Sequence, residues 1–409
     1  MRHSVARRLP TLGLRQNLRQ FSILVVVNVF VGAMVGMERS ILPELASEVY
    51  GLVAATAILS FIVCLGTAKA ITNYAAGRLA DRVGRKPVLV AGWIAALPAP
   101  IILMWAPTWG WILAANALLG ISQGLTWSTT VVMKIDLVGP RHRGLAMGLN
   151  EFAGYLAVGL SAFATGLVAQ TCNLTPAPFY LGLAYAGVGL FLSAALVRET
   201  RHHVAIESAA IGDISAQQSG REIFLRASFR DRNLSSSVQA GFVNNLNDGM
   251  AWGLFPILYA TSGADLATIG GLAAIYPLTW GIAQLIAGAA SDRIGRKRLI
   301  VAGMFTQAIA LAVTAQSSTL PAFVAGAILL GLGTALVYPT LLAAVIDASD
   351  PSWRGSAVGV YRLWRDGGYP AGALTSAMIA DTFGIAAAIW AIGSVTALSG
   401  LVVALRMRE

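Results

Sequence analysis

Eight ionisable residues sit inside long apolar runs of this chain: the acids Glu38, Glu151, Asp248 and Asp366, and the bases Arg39, Lys69, Arg362 and Arg365. A charge in a hydrocarbon layer costs about 3 kcal/mol or more, so such groups face a cavity or a partner and mark a path for solute or protons. Lys69, Arg362 and Arg365 together suit a carboxylate, phosphate-like or other oxyanion group, which arginine can grip bidentately. Arg362, Arg365, Asp366 and Tyr369 are spaced i, i+3, i+4 and i+7 and share one stripe of a helix; Glu151 and Tyr155 form a shorter stripe of the same kind. A structural alternative stands beside each reading. Arg362 can be neutralised by Asp366 four residues on, and Glu151 can be merely hydrogen-bonded to Tyr155 or Asn150. The adjacent Glu38 and Arg39, near one end of their run, read as snorkelling side chains and a gate salt bridge.

The elements that position these groups follow from composition. Of 409 residues, 56% are hydrophobic and 12% charged, and the mean hydropathy is +0.69. A soluble domain carries about 25% charged residues, and no soluble core buries this much apolar surface. Apolar runs of about 17 to 25 residues, each long enough to cross a ~30 Å layer as a helix, recur along the chain. They predict an all-α membrane protein with twelve spans: a short tail over 1–20, six spans over 21–197, a polar linker over 198–235, six more over 236–405, and a tail over 406–409.

The net charge of +10 would suit nucleic acid if it were clustered on a soluble domain, and it is not. With twelve crossings every Lys- or Arg-bearing segment falls on one side, whereas the opposite loops 44–51, 106–110, 171–178, 261–266, 316–319 and 381–384 contain neither. The positive-inside rule then makes both termini cytoplasmic, in a plasma membrane. The Arg-rich amino end also fits an organelle presequence, but the apolar run continues to Leu42 without a small-residue cleavage site. Cys64 and Cys172 have no metal-ligand spacing, and His3, His142, His202 and His203 all lie in tails or loops. No nucleotide loop or placed nucleophile is present, so the expectation is a non-enzyme without cofactor or metal.

Sliding the chain over itself by 211 residues superposes Gly77, Asp81, Arg82, Gly84, Arg85 and Lys86 on Gly288, Asp292, Arg293, Gly295, Arg296 and Lys297. At the same offset Asp136, Pro140 and Arg143 fall on Asp347, Pro351 and Arg354. The chain is therefore two homologous six-span halves in parallel topology, with solute expected between them near mid-membrane. Glu151 coincides with Arg362 at this offset, so opposite charges occupy equivalent places.

Gly77-Arg78-Leu79-Ala80-Asp81-Arg82-Val83-Gly84-Arg85-Lys86 resembles the signature loop of the major facilitator superfamily, and residues 288–297 resemble its weaker second copy. The resemblance implies two six-helix bundles and secondary transport by alternating access, with a cavity lined by helices 1, 2, 4, 5, 7, 8, 10 and 11. It implies a gating role for Gly77, Asp81, Arg82, Gly84, Arg85, Asp292 and Arg296, Asp81 closing the cytoplasmic side against the amino end of helix 11 near Ser356. Cavity exposure makes Arg362, Arg365, Lys69, Tyr369, Asn245 and Trp127 the candidates for solute binding, and Glu151, Asp248 and Asp366 those for proton coupling. Polar neighbours on the same helices include Asn28, Asn73, Gln123, Asn150, Asn244, Asn247, Gln284 and Tyr338. Drug-antiporter, sugar-porter and nitrate-porter signatures are absent: Gly120 stands three residues before Gln123-Gly124, and 148–166 contains no proline. The expectation is a monomeric carrier of a small anionic or carboxylate-bearing solute, proton-coupled, with export ahead of uptake on family frequency alone. An uncoupled facilitator, an uptake symporter and a non-transporting receptor of the same fold are the alternatives.

Overall fold

The computed structural model describes residues 13–138, 143–201, 219–316, 318–349 and 353–408. Among the described residues twelve long helices carry the chain back and forth. In the first half they are α1 (Leu18–Arg39), α2 (Ser60–Val83), α3 (Arg85–Trp105), α4 (Trp109–Val138), α5 (Arg143–Cys172) and α6 (Phe179–Ala195). In the second they are α7 (Arg232–Thr261), α8 (Leu266–Ile294), α9 (Arg296–Gln316), α10 (Leu320–Asp347), α11 (Arg354–Phe383) and α12 (Ile385–Arg406). Helix α3 is interrupted between Ala96 and Pro98, where proline removes a backbone donor and crowds the preceding turn. Among the described residues seven helices, α1, α3, α5, α8, α9, α10 and α12, are long and apolar enough to cross a membrane by themselves. Helices α2, α4, α7 and α11 fall short because they carry polar side chains, some in the cavity and others bonded inside the bundles, and α6 because it has only 17 residues.

The repeat is visible in the turns. Gly84 joins α2 to α3 at φ +103 and Gly295 joins α8 to α9 at φ +102, left-handed conformations that glycine adopts at no steric cost. Just beyond each, Arg85 pairs with Asp136 at 3.4 Å and Arg296 with Asp347 at 3.1 Å, tying the start of one helix to the end of the next. Glu199, in the segment after α6, accepts from the backbone N–H groups of Arg85 at 3.0 Å and Lys86 at 2.9 Å. Burial raises the proton affinity of Glu199, but the N–H groups of Lys86, Arg85, Arg201 and Thr200 outweigh it and hold the carboxyl below its ordinary range. Its support for the start of α3 is thus present above the ordinary carboxylate pKa and lost only as pH falls through the lowered value. Of the residues expected to gate this side, Arg82 is exposed and Arg85 buried; Gly77 and the side chains of Asp81 and Asp292 lie outside what is described.

On the side opposite the termini the two halves are joined. Asp381 at the end of α11 accepts from the Thr56 backbone N–H at 3.0 Å and its hydroxyl at 2.6 Å, at the start of the short helix Ala55–Ile58. Gln170 of α5 donates to Asp265, before α8, at 3.2 Å, and Gly166 and Gly270 let the same two helices touch. A second short helix, Leu42–Glu48, buries Leu42, Pro43, Leu45 and Ala46 over the end of α1.

Candidate functional site

Between the halves lies a cavity of about 60 Å³. Sites that hold an organic ligand enclose roughly 300 Å³ or more, so loading requires the halves to part. The first half contributes Arg39, Lys69, Trp127 and Tyr155, and the second Asn245, Asp248, Trp252, Tyr338, Arg365, Asp366 and Tyr369. These residues reach one space because α1, α2, α4 and α5 face α7, α10 and α11 across the pseudo-twofold. Positions 211 apart do similar work: Lys69 lies 5.4 Å from the Trp127 ring centre, and at the equivalent positions Trp280 meets Tyr338 edge-on at 5.2 Å.

The Arg365 Nε donates to Asp366 Oδ1 at 2.9 Å, and its Nη1 donates to the Tyr338 hydroxyl at 2.6 Å. The other Asp366 oxygen accepts from Asn73 of α2 at 2.9 Å, so the pair bridges the halves. Lys69 completes the cluster and feels the charges of Asp366 and Glu151. Arg39 donates to the Tyr369 hydroxyl and lies over the rings of Trp252 at 4.8 Å and Tyr369 at 5.3 Å. Asp248 accepts from Tyr276. Glu151 sits one layer behind the wall: Trp127 Nε1 and Asn150 Nδ2 each donate to its Oε1 at 3.0 Å, while Oε2 is buried without a partner.

Set against the residues singled out from the sequence, Lys69, Arg365, Tyr369, Asn245, Trp127, Asp248 and Asp366 line the cavity, and Glu151 backs it. Arg362 does not line it. Asp366 pairs with its neighbour Arg365 rather than with Arg362, because the cavity lies one turn farther along α11. Asn244 and Asn247 are bound to Gln307 inside the second bundle, and Asn28 is held by Asn150 and Thr130 inside the first. The surface reading of Glu38 and Arg39 is corrected: they are 0% and 4% exposed and form no ion pair with each other. Successive residues on a helix point about 100° apart, which sends Arg39 to the cavity and Glu38 into its own bundle.

Lys134 was not anticipated. It is fully buried, donates to the Leu24 carbonyl at 3.2 Å and feels the charge of Glu151. The apolar run that reads as the fourth span, 111–132, ends before it, whereas α4 continues to Val138; the apolar residues on either side of Lys134 and Asp136 are the available signal.

A cavity of paired charges and aromatic rings, lying between two pseudo-symmetric six-helix bundles, defines a multi-pass integral membrane transporter that works by rearranging its halves. The chain belongs to the Major Facilitator Superfamily, whose profile matches residues 24–234 and 239–409. It is 32% identical over 120 residues to the proton-coupled antiporter flippase LtaA of Staphylococcus saprophyticus, a match covering 29% of this chain and 28% of that protein. It is 24% identical over 345 residues to the multidrug resistance protein MdtG of Enterobacter lignolyticus, covering 81% and 78%. Two solved structures share the fold. The nucleoside transporter NupG matches with a TM-score of 0.74 at 12% identity over 95% of this chain and 100% of its own. The human organic anion transporter MFSD10 matches with 0.68 at 17% over 95% and 99%.

Proposed function

We propose that this protein is a proton-coupled transporter of a small organic anion. The observation that carries the reading is the cavity's charge: Arg39, Lys69 and Arg365 face two carboxylates, Asp248 and Asp366, so the lining favours an incoming anion. The rings of Trp127, Tyr155, Trp252, Tyr338 and Tyr369 supply the apolar remainder, which suits a carboxylate attached to a flat or hydrophobic body. Arg365 is the main anchor, with Lys69 and Arg39 beside it. Glu151 is the proton carrier and Asp248 the reserve. Asp366 and, more weakly, Glu151 offset Lys69; a proton on Glu151 removes the second of these charges, and linkage makes the reverse equally true: a bound anion favours the proton. Binding together is the condition for symport. Export by exchange is the second reading, supported by the similarity to LtaA, a proton-coupled antiporter flippase.

The test is flux in proteoliposomes with a panel of aromatic and aliphatic carboxylates. Saturable flux that responds to an imposed pH gradient is the expected result, and affinity that tightens in acid marks symport. Weakening in acid marks exchange, flux indifferent to the gradient marks a facilitator, and movement of neutral solutes alone refutes the anion.

We also propose that the termini face the cytoplasm of a cell whose plasma membrane houses the protein, from the one-sided Lys and Arg distribution. Cys172 is exposed on the opposite side. An impermeant thiol reagent added to intact cells is expected to label the parent protein and not Cys172→Ser; absence of labelling in intact cells, with labelling after permeabilisation, reverses the orientation.

A further inference from the structure

Glu38 is used by nothing described above. Its carboxyl is fully buried near the end of α1, and neither oxygen has a hydrogen-bond donor. Beside it is Asn116 of α4, whose Nδ2 gives one of its two hydrogens to the Ile112 carbonyl at 3.0 Å and keeps the other next to Glu38, while its Oδ1 is buried without a donor. This small group has three acceptor oxygens and a single hydrogen to share among them. Leaving such atoms unpaired forfeits their hydration without return, and more so for a charge. A proton on Glu38 adds a second donor, to Asn116 Oδ1, which the amide hydrogen cannot serve. The charged group that acts on Glu38 is Arg39, and Tyr369 of α11 lies within its field. Arg39 is also the residue that reaches across to Tyr369 and Trp252 of the other half.

We propose that Glu38 is a second proton-binding site, outside the central cavity, whose charge decides whether Arg39 holds the halves together on the side opposite the termini. With the proton in place Glu38 is neutral, and Arg39 remains on Tyr369 and Trp252. When the proton leaves to water on that side, a bare carboxylate stands next in sequence to the guanidinium and draws it back toward the first half. The cross-half contact is then broken, and that side opens. The proton is the only species exchanged. This inference does not rest on the anion reading, because the equilibrium needs no solute.

The experiment places spin labels at Ser47 and Ser262, exposed positions on the two halves, and measures their separation in detergent-purified full-length protein without solute. The parent is expected to shift from short to long separations as pH rises, the ratio changing by up to about tenfold per pH unit for a single proton. Glu38→Gln, which keeps the shape and cannot ionise, is expected to stay short throughout. Tyr369→Phe, which removes the acceptor of Arg39, is expected to be long at every pH and supplies the reading if Glu38→Gln does not fold. A parent-like pH response in either variant overturns the proposal, as does a parent with no response.

Discussion

Arg365→Ala is expected to weaken anion binding by about 30-fold or more, because truncating one member of a buried charge pair costs roughly 2–5 kcal/mol. The side chain contributes three things at once: a planar fork for a carboxylate, the charge that balances Asp366, and a hydrogen bond to Tyr338. Asp366 would keep Asn73 and Lys69, so the variant is expected to remain folded and run as a single species in size-exclusion chromatography. Arg365→Lys is expected to recover part of the affinity, since it restores the charge but not the fork. Equilibrium binding of a transported carboxylate to purified protein decides the matter. Parent-like affinity would reduce Arg365 to a packing partner of Asp366.

Glu151→Gln is expected to separate coupling from transport. The amide preserves the shape and can still accept from Trp127 and Asn150 through its carbonyl, the bonds that hold the native side chain. It cannot gain or lose a proton. Exchange of labelled for unlabelled anion across the membrane should therefore continue near the parent rate, while accumulation driven by a pH gradient falls to the level of a leak. If Glu151→Gln still accumulates solute on a gradient, the proton travels elsewhere and Asp248 becomes the next variant to make. If exchange also disappears, the side chain is needed for the shape of the wall behind Trp127.

Much of the architecture can be read from the amino-acid chain because a bilayer imposes long apolar runs, and because the two halves repeat their turn chemistry at one offset. The Gly84 and Gly295 turns and the Asp136 and Asp347 anchors all stand out that way. The depth of individual residues is harder to read. Glu38 and Arg39 look superficial by counting from the end of a run, yet the chain does not leave the bundle there: it turns into Leu42–Glu48, Arg39 packs on Trp252 and Tyr369 of the other half, and Glu38 lies against Asn116 of its own. The stripe of α11 identifies a face but not which turn meets the cavity, so Arg362 and Arg365 appear equivalent until packing separates them. Lys134 is hidden for a different reason, since a buried cation held by a backbone carbonyl and a distant carboxylate leaves no local spacing to recognise.

The carboxylate of Glu199 has a bearing on how the chain is built. It follows the sixth helix yet holds the start of the third, so a ribosome must release the whole first half before that clasp can form. Once it closes, the first bundle is a finished unit waiting in the bilayer while the remaining six helices are synthesised, and assembly can proceed half by half in the order of translation.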